Sequence, residues 1–262
     1  MKLSVKECCQ TLSRRLGYKV QRVRRGDHYI PHKMLAAQTG EDAPYYAEYA
    51  TRWPIFAPWV GHPDFLALYQ ESAALTLGDP ERGYLLISLA RYAQYLPGDF
   101  AECGVYRGGS ALWLCKILQE TSKTLYLFDS FQGLSKPDPQ YDPYFREGQM
   151  AAPAAAVQQL LRAFPDVTLR EGWLPETFLG LESKRYAFAH IDVDLYKPTL
   201  DCCLYFYPRL TPGGILLFDE YGFPSTHGEK AAVDEYFADK PERPIAMITG
   251  QAMVIKVPSQ RA

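Results

Sequence analysis

Four carboxylates stand in two short clusters, Asp192 with Asp194 and Asp219 with Glu220, each directly after an apolar run. Acids brought close together repel unless a proton or a cation intervenes. A hard divalent ion with oxygen ligands, most simply Mg2+, would relieve them. Solvent, or pairing with Lys197, Arg209 or Lys230, would do so without a metal. Asp129 closes a further apolar run, 124–128. An acid at a strand end can accept hydrogen bonds from two ribose hydroxyls, a geometry that dinucleotide and adenosyl cofactors share. It can equally be a turn residue. Residues 102–110, Glu-Cys-Gly-Val-Tyr-Arg-Gly-Gly-Ser, place glycines where a strand would turn into a helix. Such glycines admit close backbone approach to a ligand at a helix N-terminus. The GxGxxG fingerprint is absent, because Val105 and Tyr106 break its spacing.

The elements that must position these residues follow from periodicity. Residues 99–106 read as a short buried strand, and Ser110 as the N-cap of the next helix, whose stripe is Ala111, Leu114, Cys115 and Leu118. Strands are expected at 124–128, 167–169, 186–191 and 215–218. Between them run helical stripes: Val157, Leu160, Leu161 and Phe164 after a Pro153 start, then Leu200, Cys203, Leu204 and Tyr207. Val233, Tyr236 and Phe237 mark a last helix, and 245–249 with 253–257 a hairpin across Gly250. Strands alternating with helices imply an α/β, doubly wound, mostly parallel seven-stranded sheet with an antiparallel C-terminal hairpin. In such sheets ligands bind outside the carboxyl ends of the strands, where Asp129, Glu171, Asp192 and Asp219-Glu220 would stand.

Composition narrows the classes. Hydrophobic residues make up 47% and charged residues 22%, and Lys plus Arg (28) nearly balances Asp plus Glu (30). That balance gives no support to a general nucleic-acid binder. No apolar run reaches the ~18 residues of a membrane span, and no secretory signal is visible near Lys2, Lys6, Arg14 and Arg15. The six cysteines form no CxxC, and the pairs Cys8-Cys9 and Cys202-Cys203 read as buried small residues in a reduced, cytoplasmic setting. Residues 1–80 form a separate N-terminal part, expected to be a helical extension, lid or oligomer contact. It holds a basic patch (Arg22, Arg24, Arg25, Lys33) and an aromatic stretch from Tyr45 to Trp59. The polar, proline-rich loop 135–152 reads as part of a substrate entrance.

Four segments carry a resemblance: 102–110, Phe-Asp-Ser-Phe-Gln-Gly-Leu at 128–134, Ile-Asp-Val-Asp-Leu-Tyr at 191–196, and Pro-Gly-Gly-Ile-Leu-Leu-Phe-Asp-Glu-Tyr at 212–221. In that order the chain resembles the macrocin O-methyltransferase family over roughly 80–257. The resemblance implies a class I, Rossmann-like methyltransferase fold in residues 81–262. It implies an enzyme that moves a methyl group from S-adenosylmethionine to a hydroxyl of a sugar or natural product, assisted by Mg2+. It implies that Glu102, Gly104, Tyr106, Gly108 and Ser110 hold the methionine end of the cofactor. Asp129 would bind the ribose, with Ser130 and Phe131 beside the nucleoside, and Glu171, Gly172 and Trp173 would flank the adenine. Asp192, Asp219 and Glu220 would hold the metal, with Glu220 where the family usually has Asp. Asp192 or His227 would take the acceptor's proton. A small-molecule, glycosidic acceptor is expected, with no nucleic-acid or membrane partner and a homo-oligomer allowed. Three alternatives stay open: a metal-independent methyltransferase, a nicotinamide oxidoreductase, and a nucleotide- or sugar-binding protein without catalysis.

Overall fold

A computed structural model describes residues 62–258. The chain divides into a unit of residues 1–56, outside the described residues, and a unit of residues 57–262. The basic patch, the aromatic stretch and Cys8-Cys9 therefore lie outside the described residues.

Two helices come first, α1 (Pro63–Ser72) and α2 (Pro80–Ala93). Each starts on a proline, whose fixed φ and missing N–H suit the first helical turn. Then follow β1 (Asp99–Cys103), α3 (Gly109–Leu118), β2 (Leu125–Asp129), α4 (Ala154–Leu161), β3 (Val167–Glu171), β4 (Tyr186–Ile191) and α5 (Tyr196–Phe206). The chain closes with β5 (Leu210–Phe218), α6 (His227–Phe237), β6 (Ile245–Ala246) and β7 (Ala252–Ile255). The sheet order is β3-β2-β1-β4-β5-β7-β6. Its first five strands are parallel, and β7 runs antiparallel to both β5 and β6. The expected seven-stranded architecture is the one observed.

Both faces of the sheet are covered, as parallel strands require. One core joins Phe100, Phe188 and Leu217 to Leu86, Trp113 and Val157 from α2, α3 and α4. The other joins Ala101, Phe128 and Phe218 to Cys203, Phe206 and Phe237 from α5 and α6. Cys103, Cys115, Cys202 and Cys203 are buried free thiols. None of the described helices is long and apolar enough to cross a membrane.

Two of the boundaries that differ from expectation border the site. The first strand stops at Cys103 rather than 106, and Gly108, at φ +85°, is the N-cap of α3 in place of Ser110. The cause is the close meeting of two strand ends. Gly104 N–H donates to Phe128 O at 2.9 Å, and Asp192 N–H donates to Cys103 O at 2.9 Å. Gly104 has φ +85°, and a Cβ there would sit 1.7 Å from the Asp192 carbonyl oxygen. Substituting Gly104→Ala adds a left-handed penalty to a backbone clash and is expected to cost roughly 3 kcal/mol or more. Urea unfolding checks it, and a loss under about 1 kcal/mol would contradict this account of the crossing.

Candidate active site

The carboxyl ends of the strands open into a cleft of about 1100 Å3, counted to its open mouth. Of the residues singled out in sequence, Gly104, Tyr106, Ser110, Asp129, Ser130, Gly172, Trp173, Asp192 and Glu220 line it. Strain gathers there too: Tyr106, Met150 and Asp194 are non-glycine residues at positive φ, and all three line the cleft.

Asp129 organises the glycine turn. Its Oδ2 accepts the backbone N–H groups of Val105 at 2.7 Å and Tyr106 at 2.9 Å, and its Oδ1 that of Phe131 at 2.6 Å. A carboxylate offers about four acceptor positions, so three are engaged and one is left for a ligand. Trp173 stands 38% exposed on the cleft, offering a face to a flat ring.

The acids behave in two ways. Asp192 and Asp194 accept no hydrogen bond from any described residue and face the cleft. Burial raises the Asp192 carboxyl well above the usual carboxylate range, and neighbouring Asp219 and Asp194 push it the same way. Burial, with Glu220 and Asp219, lifts Asp194 to about 7. Asp219 is engaged at both oxygens: Oδ1 takes Gln251 Nε2 at 2.6 Å and stands 3.3 Å from His190 Nε2, and Oδ2 takes Arg82 Nη1 at 2.6 Å. Burial works to raise Asp219, but His190, Arg82 and Gln251 outweigh it and hold the acid below its ordinary value. Arg82 also donates to Glu220 Oε1.

Several expected site residues are elsewhere. Asp219 is 5% exposed behind the cleft wall, held by the contacts just given. Glu102 is fully buried on β1, with Oε1 2.9 Å from His190 Nδ1. The register pairs Glu102 with His190 on neighbouring strands, which brings the two side chains together. Gly108 packs against Val157 and Leu160, and Phe131 belongs to the core. Glu171 is exposed at the end of β3. His227 opens α6 and meets the Tyr144 ring edge-on at 6.3 Å, outside the cleft lining.

Sequence reasoning missed one wall, Leu75, Thr76, Leu77, Gly78 and Arg82, while Met150 lines the cleft from the loop 135–152 expected at the substrate entrance. For Arg82 a signal existed: it lies on the face of α2 that buries Leu86, Ile87, Ala90 and Ala93. A charged residue on an apolar helical stripe needs a partner.

The loop after β2 is docked. Leu134 N–H donates to Gln149 O at 2.8 Å, and Gly148 N–H to Leu134 O at 2.9 Å. Asp142, 2% exposed, accepts the Tyr196 N–H at 3.1 Å and so caps α5 from 54 positions away. The Tyr141 and Tyr196 rings stack at 4.0 Å.

Mg2+ held by Asp192, Asp219 and Glu220 would have to share these contacts. Both oxygens of Asp219 and one of Glu220 are engaged by protein donors. A hard divalent ion needs free oxygens in near-ideal geometry, so the expected ligand set does not fit one. Ligand atoms of Asp192, Asp194 and Glu220, and likewise those of His190, Asp192 and Asp219, do lie within 4.8 Å of one another.

Comparison with known proteins agrees with the fold. The family model described as macrocin-O-methyltransferase (TylF) matches residues 89–256. A similar curated protein is 8-demethyl-8-(2,3-dimethoxy-alpha-L-rhamnosyl)-tetracenomycin-C 4'-O-methyltransferase from Streptomyces olivaceus, 30% identical over 55% of this chain and 59% of its own length. Mycinamicin III 3''-O-methyltransferase from Micromonospora griseorubida is 31% identical over 54% of this chain and 61% of its own length. The chain thus spans about three-fifths of the curated relatives it matches. Among solved structures, the O-methyltransferase NovP aligns with a TM-score of 0.60 at 25% identity, covering 68% of this chain and 80% of that one. A calicheamicin methyltransferase aligns at 0.61 and 22% identity over 90% and 97%.

Asp142→Ala loses the hydrogen bond that holds the loop to the Tyr196 N–H, worth ~1 kcal/mol. Trypsin should then cut after exposed Arg146 roughly fivefold faster, as that energy implies for a locally opened segment. An unchanged cleavage rate would contradict the cap.

Proposed function

The chain belongs to the macrocin-O-methyltransferase family, and from that premise we propose that it moves a methyl group from S-adenosylmethionine to a hydroxyl of a glycosylated natural product. The observation that carries this reading is the cleft itself. It joins a glycine turn fixed by Asp129 to two acids, Asp192 and Asp194, that no protein donor engages. Bound S-adenosylmethionine supplies an activated methyl group on a sulfonium.

The residues present suit that ligand. The remaining acceptor position of Asp129 takes one ribose hydroxyl, Trp173 offers its face to the adenine, and Gly104, Tyr106 and Ser110 border the methionine end. At the acceptor, Asp192 takes the hydroxyl proton as oxygen bonds to the methyl carbon and the carbon–sulfur bond breaks. Its raised proton affinity makes it a better base than an ordinary carboxylate. Asp194, Arg82 and Glu220 border the same space and give a hydroxyl-rich acceptor several hydrogen-bond partners. A sugar supplies such hydroxyls, and one relative is named for a rhamnosyl-bearing substrate. Leu75 and Gly78 on the cleft support a part for the end of the first 80 residues in covering the site. His227 has no part in this reading, and no step runs through a metal.

Calorimetric titration with S-adenosylhomocysteine tests it. Binding to the native protein is expected, weakened roughly tenfold or more in Asp129→Ala by loss of a charge-assisted hydrogen bond and of the turn it holds. No binding by folded protein would contradict the reading. With a glycoside acceptor, Asp192→Asn should lower kcat by roughly 10²–10⁴ while leaving homocysteine-ligand affinity within about threefold. An unchanged kcat would remove Asp192 from the chemistry.

A further inference from the structure

Asp219 and Glu220 converge on a single nitrogen. Arg82 Nη1 lies 2.6 Å from Asp219 Oδ2 and donates to Glu220 Oε1 as well. Arg82 comes from α2 and is 8% exposed. Its Nη2 donates to Leu77 O at 3.4 Å, and its guanidinium stands 5.2 Å from the centre of the Phe223 ring. The other side of Asp219 is closed by Gln251 and His190. Glu220 is fixed through its backbone: its N–H donates to Glu229 Oε1 at 2.8 Å, and Thr226 Oγ1 donates to its carbonyl at 2.6 Å.

The pair is thus built around a cation that the chain itself provides. A guanidinium cannot be deprotonated in a protein and suits buried carboxylates through its several fixed donors. A divalent ion drawing both acids together would have to take the oxygens that Arg82 now holds. Displacement would leave Arg82 buried and unpaired, a state strongly disfavoured in a low-dielectric interior. Of the three acids expected to bind a metal, Asp219 and Glu220 are held by Arg82, and Asp192 alone is left without a protein donor.

We propose that Arg82 is the resident cation of the Asp219–Glu220 pair, and that this pair ligates no divalent ion while Arg82 is in place. The inference bears on the methyl-transfer site proposed above, but its test reads metal binding in protein without any methyl donor. Mn2+ is titrated into the full chain and followed by electron paramagnetic resonance. Native protein is expected to show no Mn2+ site that Asp219→Asn removes. Arg82→Met is expected to gain such a site, and Asp219→Asn in the same background to abolish it. Arg82→Lys keeps the cation and is expected to gain none, which keeps the test open if Arg82→Met does not fold. A Mn2+ site held only by Asp192 and Asp194, unaffected by Asp219→Asn, also supports the proposal. A native Mn2+ site abolished by Asp219→Asn overturns it, as does a folded Arg82→Met protein that gains no site. S-adenosylhomocysteine binding in the same samples reports separately on the methyltransferase reading.

Discussion

Buried charge at the ends of β4 and β5 is the constraint on which the site depends. The two strands are neighbours in register, with His190 opposite Leu217 and Ile191 opposite Phe218. The residues that follow, Asp192 and Asp219, therefore emerge side by side. Carboxylates cannot be gathered in a poorly solvated place without compensation. Part of it comes from a line of buried polar contacts, Glu102 to His190 to Asp219, closed by Arg82 and Gln251. Burial works against a proton on His190, but its bonds to Asp219 and Glu102 outweigh that and raise its proton affinity. The acids left without a protein donor, Asp192 and Asp194, face the cleft beside Glu220. One structural problem thus divides the acids into a held set and an available set.

The rest of the cleft follows from close approach of backbones. Gly104 is required where β1 meets the end of β4, and Asp129 ties the following turn to the end of β2. Phe131, the residue after Ser130, is buried in the core at φ +56° where the long loop begins. Asp142 then brings that loop back onto α5. A loop without helix or strand of its own is in this way held by a few side chains, and Leu134 and Met150 reach the cleft from its two ends.

How much of this was legible in sequence depended on whether the cause was local. Apolar periodicity located every strand of the sheet, and β4 to the residue. The antiparallel hairpin was announced by Gly250 between two apolar runs, though the strands proved shorter. Strand-end position brought Asp129, Asp192 and Glu220 to the cleft as expected. What failed was non-local. Nothing near Asp142 in sequence says that it caps a helix beginning at Tyr196. Glu102 looked available because its partner, His190, is 88 positions away. Arg82 is separated from Asp219 by 137 positions, and the pairing considered in sequence was with Lys197, Arg209 and Lys230. Lys197 is instead bound to Asp201 within α5, Arg209 to the carbonyls of Glu182 and Tyr205, and Lys230 to Asp234 within α6. Short-range partners took the lysines, leaving the acids to a residue buried in advance on another helix.

The most direct test of the account is amide hydrogen exchange on the full chain with and without S-adenosylhomocysteine. The account predicts new protection at the strand ends that border the cleft, around 104–110, 129–135 and 172–174, with the outer edge at β6 unchanged. No ligand-dependent protection at those strand ends, or protection gathered at a surface away from them, would contradict it.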